Sequence, residues 1–287
     1  MSQALDFLLQ LLDLETIEVN IFRGRHTNNT RQRTFGGQIA AQALMAAGRT
    51  VERGRVHSLH SYFLRAGDSS APTLFEVDRI RDGRSFATRR VVAIQHGQPI
   101  YNLQASFHAD EISLEHQISM PDVPEPESLV NARDTLAQEV GVAADWLTWM
   151  NPIEQRYITP APWAHHREHQ PYQRLWIRTD GPLPDDPLLH ACVVTYASDM
   201  NLFDTILANH DTRFDDPGFM GASLDHCMWF HRDLRADDWL LYDMDSPIAH
   251  GARGLARGFL YSRDGQLRVS MVQEGLARVV SEPPTSA

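Results

Sequence analysis

"HGQPIYNLQASF" (residues 96–107) and "DGQLRVSMVQEG" (residues 264–275) can be laid over one another with Gly97 and Gln98 matching Gly265 and Gln266. As alternating strands, the first sets Tyr101, Leu103 and Ala105 on one face. The second sets Leu267 and then Val269, Met271 and Gln273 on the corresponding face. Ala105 therefore stands where Gln273 stands, and only one of two similar segments turns a primary amide toward the core. Such a pair points to a duplicated chain whose copies differ at a polar position.

The surrounding segments repeat in the same order. The first half has "TFGGQIAAQALMAAGRTV" (34–51), a small-residue helix pattern opened by two glycines. Four strand-like stretches follow: "HSLHSYFLRAG" (57–67), "TLFEVDRIRDG" (73–83), "SFATRRVVAIQHG" (85–97) and "QPIYNLQASFH" (98–108). The second half has "LWIRTDG" (175–181) and a helix pattern in "PLLHACVVTYASDMNLFDTIL" (187–207). Its strands are "SLDHCMWFHRDL" (223–234), "DWLLYDMDSPIAHG" (238–251), "ARGLARGFLYSRDG" (252–265) and "QLRVSMVQEGLARV" (266–279). From Phe63 to Gly97 is 34 residues and from Phe230 to Gly265 is 35, a spacing expected of a duplicated domain. Between the halves, Pro121, Pro124 and Pro126, then Pro160, Pro162 and Pro171, remove amide donors and disfavour helix. The expected organisation is an N-terminal domain over 1–115, a surface linker over 116–165 with a helix of its own within 128–150, and a C-terminal domain over 166–287.

A chain of 287 residues with 43% hydrophobic composition can build one large domain or two ordinary ones, each with a real core. No run approaches the roughly 18 apolar residues of a membrane helix. The opening "MSQALDFLLQLLDLETIE" carries Asp6 and Asp13 among its leucines, as a short amphipathic helix would, and has no basic leader. The closing "PPTSA" is neither a peroxisomal nor a retention tail. Cys192 and Cys227 do not make a disulfide framework, so a reducing cytoplasm is expected. A formal charge of -11 repels nucleic acid, although 26 basic residues leave room for a local anion site. Five of them crowd "RIRDGRSFATRRV", at Arg79, Arg81, Arg84, Arg89 and Arg90.

One helix wrapped by a curved antiparallel sheet is the hot-dog fold, and two tandem copies make a double hot dog, an α+β architecture. "VHSLHSYFLRAGD", "RIRDGRSFATRRV", "YASDMN", "DHCMWFHR" and "MVQEG" resemble the signature segments of the acyl-CoA thioesterase II family, in that family's order. The resemblance covers nearly the whole chain and is weakest in the proline-rich linker. It implies hydrolysis of fatty acyl-CoA to a free fatty acid and coenzyme A through an activated water, with no metal or other cofactor. Hot-dog sheets commonly pair across subunits, so a homo-oligomer is expected. Carried onto matching positions, the family's catalytic trio is Asp199 of "YASDMN", Ser223 of "GASLDH" and Gln273 of "MVQEG".

Each position also has a plain structural reading. Leu189, Cys192, Val193, Tyr196, Met200, Phe203 and Leu207 make an apolar helical stripe with Asp199 at its edge. A carboxylate there is costly unless paired, hydrogen-bonded or wet, and it could simply bond a neighbouring amide. Ser223 could be a turn residue. A buried Gln273 needs partners for two donors and a carbonyl oxygen, and it could tie down a loop. In the functional reading Asp199 takes a proton from water while Ser223 and Gln273 orient it. Direct attack by Ser223 or Asp199 is the covalent alternative. For the coenzyme, Arg84, Ser85 and Phe86 of the arginine-rich segment are candidate contacts, with His57 near the cleft. Gly37 of the "GG" pair could bring backbone amides to a ligand.

Four other readings compete. "GASLD" approaches a serine-hydrolase elbow, with Asp243 and His250 following, but lacks the second glycine. "HHREH" (165–169) fits H-x-x-E-H zinc spacing, yet prolines crowd it and no third ligand is close, so no metal is expected. "YASDMNLFD" resembles the enoyl-CoA hydratase pattern Y-x-x-D-x-N-P-L-H, with Leu202 in place of the proline and Asp204 in place of the histidine. The last alternative is a non-catalytic acyl-CoA-binding module, separable from an enzyme by acyl-CoA binding without thiol release.

Overall fold

The computed structural model describes residues 2–26, 33–140, 151–164, 169–214 and 216–280. The first half contains α1 (Gln3–Leu12), β1 (Glu15–Glu18), β2 (Ile21–Gly24), α2 (Gly36–Gly48), β3 (Arg55–Phe63), β4 (Thr73–Asp82), β5 (Phe86–Gln95) and β6 (Gln98–His108). After α3 (Ala132–Val140), the second contains β7 (Ile153–Tyr157), β8 (Tyr172–Thr179), α4 (Pro187–Ser198) and α5 (Leu202–Leu207). It closes with β9 (Phe219–Ser223), β10 (Asp225–Phe230), β11 (Leu240–His250), β12 (Arg253–Ser262) and β13 (Leu267–Val279).

The strands form one continuous antiparallel sheet, ordered β1-β2-β4-β5-β6-β3-β10-β13-β12-β11-β8-β7, with β9 paired to the end of β13. From the centre outward the two arms read β3-β6-β5-β4-β2-β1 and β10-β13-β12-β11-β8-β7, so the duplication is written in the strand order. The arms join through β3 and β10, where Leu59 lies opposite Met228 and Ser61 opposite His226. The hairpin turns of β5–β6 and β12–β13 both place glycine at positive φ, Gly97 at 71° and Gly265 at 79°. The overlaid register thus holds in three dimensions: Arg89 pairs with Ala105 on one arm, and Ala256 with Gln273 on the other.

Burial explains the composition of the helices. Every residue of α2 from Gly37 to Ala47 is buried, including Gln38 and Gln42. Alanine and glycine let this helix lie close to the sheet on one side and to α4 on the other. Gln42 donates its Nε2 to the carbonyl of Leu11 at 2.8 Å, which gives the buried amide nitrogen an acceptor. The helices and inward strand faces form one hydrophobic core spanning both halves.

A second, smaller core lies on the opposite face of the C-terminal arm. Leu175, Leu240 and Leu260 point into the main core, whereas their neighbours Trp176, Leu241 and Tyr261 point the other way, as strand alternation requires. Met120, Val123, Leu129 and Ile158 cover this outer cluster. Trp176 Nε1 donates to the Pro124 carbonyl at 2.9 Å. The span 116–165 therefore covers apolar sheet surface, and within it β7 extends the sheet beside β8. Of the helix expected within 128–150, α3 occupies Ala132–Val140, and residues 141–150 lie outside the described residues. No helix among the described residues is long and apolar enough to cross a membrane.

Candidate active site

Asp186 opens α4, its Oδ1 accepting from the Leu188 amide at 2.9 Å, and Pro187 occupies the first turn. Asp199 closes the helix as its C-cap. A carboxylate at that end meets the negative pole of the helix dipole, so other donors must hold it. Gln273 Nε2 donates to Asp199 Oδ1 at 2.7 Å, and Ser223 Oγ donates to the same oxygen at 3.2 Å. The Gly37 amide supplies a third hydrogen bond. Burial raises the Asp199 pKa to about 6, against the pull of Gln273, Ser223 and Gly37 toward lower values.

The three donors come from widely separated elements. Ser223 ends β9 and pairs with Gly275 of β13. On β13, Val269, Met271, Gln273 and Gly275 are buried in alternation, which carries the Gln273 amide to the main core. Leu267, expected on the same face, packs with Trp176 and Tyr261 on the opposite one because the register shifts beside it. Gly37 belongs to the other half, in the first turn of α2. A Cβ on Gly36 would fall 2.6 Å from Asp199 Oδ2, and one on Gly37 would fall 2.4 Å from the Tyr196 carbonyl. Only glycine lets the amino end of α2 approach the carboxyl end of α4 this closely. The candidate site lies between the halves.

Family models described as "Acyl-CoA thioesterase" and "Acyl-CoA thioesterase N-terminal domain" match residues 152–276 and 25–108 of this chain. The "Acyl-coenzyme A thioesterase 8" of Homo sapiens is 42% identical over 282 residues, spanning 94% of this chain and 88% of its own. The chain belongs to the acyl-CoA thioesterase family. As a member of it, the protein is a hydrolase of acyl-CoA thioesters. Among solved structures, the acyl-CoA thioesterase II TesB2 of Mycobacterium marinum superposes with a TM-score of 0.79 at 40% identity, over 98% of this chain and 99% of that one. A protein with a hot-dog fold from Alicyclobacillus acidocaldarius gives a TM-score of 0.78 at 20% identity, over 96% and 99% of the two chains, a likeness of fold.

Around the trio, the thioesterase buries further polar groups that the sequence motifs did not single out. Tyr101 of β6 and Tyr242 of β11 are almost wholly buried, and burial followed by other contacts, with the Asp199 charge among them, keeps both phenols neutral. Tyr242 donates its hydroxyl to the Ser198 carbonyl at 2.8 Å. His226 of β10 is fully buried, and its Nε2 lies 2.8 Å from Ser198 Oγ. Alternation in "DHCMWF" was the available signal, since His226, Met228 and Phe230 share the buried face.

Of the suggested substrate contacts, only Gly37 lies beside the trio. β3 meets the site at its Phe63 end, where the Phe63 amide donates to the Leu224 carbonyl at 2.9 Å. His57 is six residues away along that strand, about 20 Å at 3.3 Å per residue. There it bonds Ser106 Oγ at 2.8 Å and stands edge-on to Phe86, which stacks on His108. Arg84 and Ser85 immediately precede Phe86. Among the five arginines, Arg79 bonds Asn20, Arg90 pairs with Asp78, and Arg89 is buried. Arg81 and Arg84 are exposed.

Other candidate residues have structural employment. Asn201 Nδ2 donates to Tyr157 Oη and its Oδ1 accepts from Gln155. Asp243 pairs with Arg174. Ser223 lies where β9 runs on into β10, both antiparallel to β13, whereas a nucleophile elbow needs a strand-to-helix turn. His165 to Glu168 of "HHREH" lie outside the described residues, and His169 bonds Asp211. No group of three or more His, Cys, Asp or Glu among the described residues is placed to hold a metal ion.

Proposed function

We propose that Asp199, Ser223 and Gln273 hydrolyse fatty acyl-CoA through an activated water. The observation that carries this reading is the shared oxygen: Asp199 Oδ1 accepts from both Ser223 Oγ and Gln273 Nε2. These two hydrogen bonds, with the Gly37 amide, anchor the carboxylate, whose Oδ2 lies against Gly36. With a pKa of about 6, Asp199 is ionised at neutral pH and is a stronger base than an ordinary aspartate near 3.9.

In the proposed step, water is held with one proton toward Asp199 and its oxygen toward the thioester carbonyl carbon. The water oxygen bonds to that carbon as Asp199 takes the proton. The positive pole at the amino end of α2 favours the negative charge that develops nearby. Collapse breaks the C–S bond, and Asp199 returns the proton to the departing sulfur, leaving a fatty acid and coenzyme A thiol. His57, Arg84, Ser85 and Phe86 are proposed contacts for the far end of the extended, polyanionic coenzyme, with Gly37 at its thioester end.

A reducing, cytoplasmic setting is supported by two free cysteines, Cys192 and Cys227. A homo-oligomer is supported by exposed apolar side chains on the sheet, among them Tyr62 and Phe86.

The test is thiol release from short-, medium- and long-chain acyl-CoAs by the unaltered protein and by Gln273→Ala. Release by the first and its collapse in the second support the reading. Binding without release favours the non-catalytic alternative. Rapid quenching with labelled substrate would expose the covalent route as radioactivity bound to protein.

A further inference from the structure

Phe63 ends β3 and is the point where the N-terminal half meets the backbone of the trio. Its amide donates to the Leu224 carbonyl, and the Leu224 amide donates in turn to the Glu274 carbonyl, each at 2.9 Å. These two bonds fix Phe63 against the residues that follow Ser223 and Gln273 in the chain. On its other side the ring packs on Tyr101, its partner in the β3–β6 ladder, with ring centroids 5.0 Å apart. The ring then reaches Asp199 across Gly36. A Cβ on that glycine would fall 2.6 Å from Asp199 Oδ2 and 2.9 Å from Phe63 Cε1, so the carboxylate oxygen and the phenyl ring meet at the spot the glycine leaves open. A phenyl ring so placed takes water from the charged carboxylate and offers no hydrogen bond in return, which disfavours the ionised form. Beside an aspartate that had only to be stable, a polar side chain would serve better.

We propose that Phe63 is a positioning residue of the hydrolytic site: the N-terminal half supplies its ring as a wall that keeps bulk water off Asp199 Oδ2, leaving the carboxylate readier to take a proton. The inference rests on the reading of Asp199 as the base. Burial is the largest influence on this carboxyl and outweighs the opposing hydrogen bonds of Gln273, Ser223 and Gly37. Among the described residues no cation offsets that burial. Burial also keeps Tyr101 of β6 and Tyr242 of β11 neutral, and it lowers the His226 pKa to about 4, so this β10 histidine is uncharged while Asp199 titrates. Asp225, also of β10, turns to the Glu274 amide, its Oδ1 accepting at 2.7 Å.

The pH profile of kcat/KM for thiol release reads this role, because a ring needed only for packing would not move it. Phe63→Ala admits water to Oδ2. Its acid limb should move about one unit toward lower pH, and its plateau should fall about threefold, as for a weaker base. Phe63→Leu rebuilds an apolar wall and should bring the limb most of the way back. Phe63→Tyr keeps the ring and its packing. The added hydroxyl, carried on the Cζ that lies 3.0 Å from the same point beside Gly36, offers Oδ2 a donor and should also move the limb to lower pH. That variant covers the case of an alanine variant that does not fold. An acid limb that stays in place in folded Phe63→Ala or in Phe63→Tyr overturns the proposal. Full turnover by Asp199→Asn would remove the base, and this inference with it, whereas an unmoved limb beside an inactive Asp199→Asn removes the role of Phe63 alone.

Discussion

The carboxyl ends of α2 and α4 occupy corresponding places in the two halves and are finished with opposite chemistry. At the end of α4, Asp199 puts a negative group against the negative pole of its helix and is held by Gln273, Ser223 and Gly37. At the end of α2, a buried arginine reaches across from the neighbouring strand. Arg89 donates Nε to Thr50 Oγ1 at 2.8 Å, Nη2 to the Thr50 carbonyl at 3.0 Å, and Nη1 to the Arg81 and Thr88 carbonyls. It also pairs with Asp82. The ladder relates the two places: Arg89 stands opposite Ala105, and Ala256 opposite Gln273. One end is a cation just past the helix, on the Thr50 carbonyl and on carbonyls of the neighbouring strands, favourable and chemically inert. The other is a carboxylate held against its preference, which raises its basicity. In the proposed reading, catalytic capacity in one half and structural closure in the other go with one exchange of large polar side chains across a strand pair.

Asp199→Asn is expected to break that contrast most severely. Turnover should fall roughly 10²–10⁴-fold, measured as thiol release. The same change should raise stability in denaturant melts by up to about 3 kcal/mol at pH 7, because a carboxyl whose folded pKa lies above its unfolded value disfavours folding once ionised. That gain should fade as pH falls from 6 toward 4. In the other half, Arg89→Ala should cost about 1–3 kcal/mol of stability by leaving the Thr50, Arg81 and Thr88 carbonyls without their partner, with the turnover of folded protein nearly unchanged. Unaltered stability would show that the arginine does not close the α2 end.

Gln273→Ala makes the C-terminal site resemble its counterpart and should lower kcat about 10²-fold while the protein still folds, by analogy with Ala105. For the unaltered protein, kcat should decline about tenfold per pH unit below the Asp199 pKa near 6 and level off above it. A profile flat down to pH 4 would remove Asp199 as the base. The smallest effect is expected from Ala105→Gln, which should cost about 1–3 kcal/mol by overpacking and confer no second activity, because the carboxylate near the α2 end, Asp82, is exposed and paired with Arg89.

Much of this was legible in the residues. The repeated order of segments, the glycines of the matching hairpins and the period-two pattern of β13 report local backbone geometry, so the duplicated α+β fold and the inward amide could be read directly. Asp199, Ser223 and Gln273 could be named because each lies in a distinctive short motif. Their sharing of one carboxylate oxygen could not, since 74 residues separate Asp199 from Gln273 and only strand pairing brings them together. The same limit hid the role of Arg89: "TRR" looks like charge for solvent or phosphate, and only packing against the end of α2 shows a cation sealed inside. His226 was concealed similarly, because its environment is built by β3, β13 and α4, none adjacent to it in the chain. The sequence by itself determined the elements, their duplication and the unequal distribution of polar groups, all functions of near neighbours. Tertiary structure alone decided which polar groups meet, which are cut off from water and hence which carboxyl has its pKa raised, because burial and hydrogen bonding depend on contacts between distant segments.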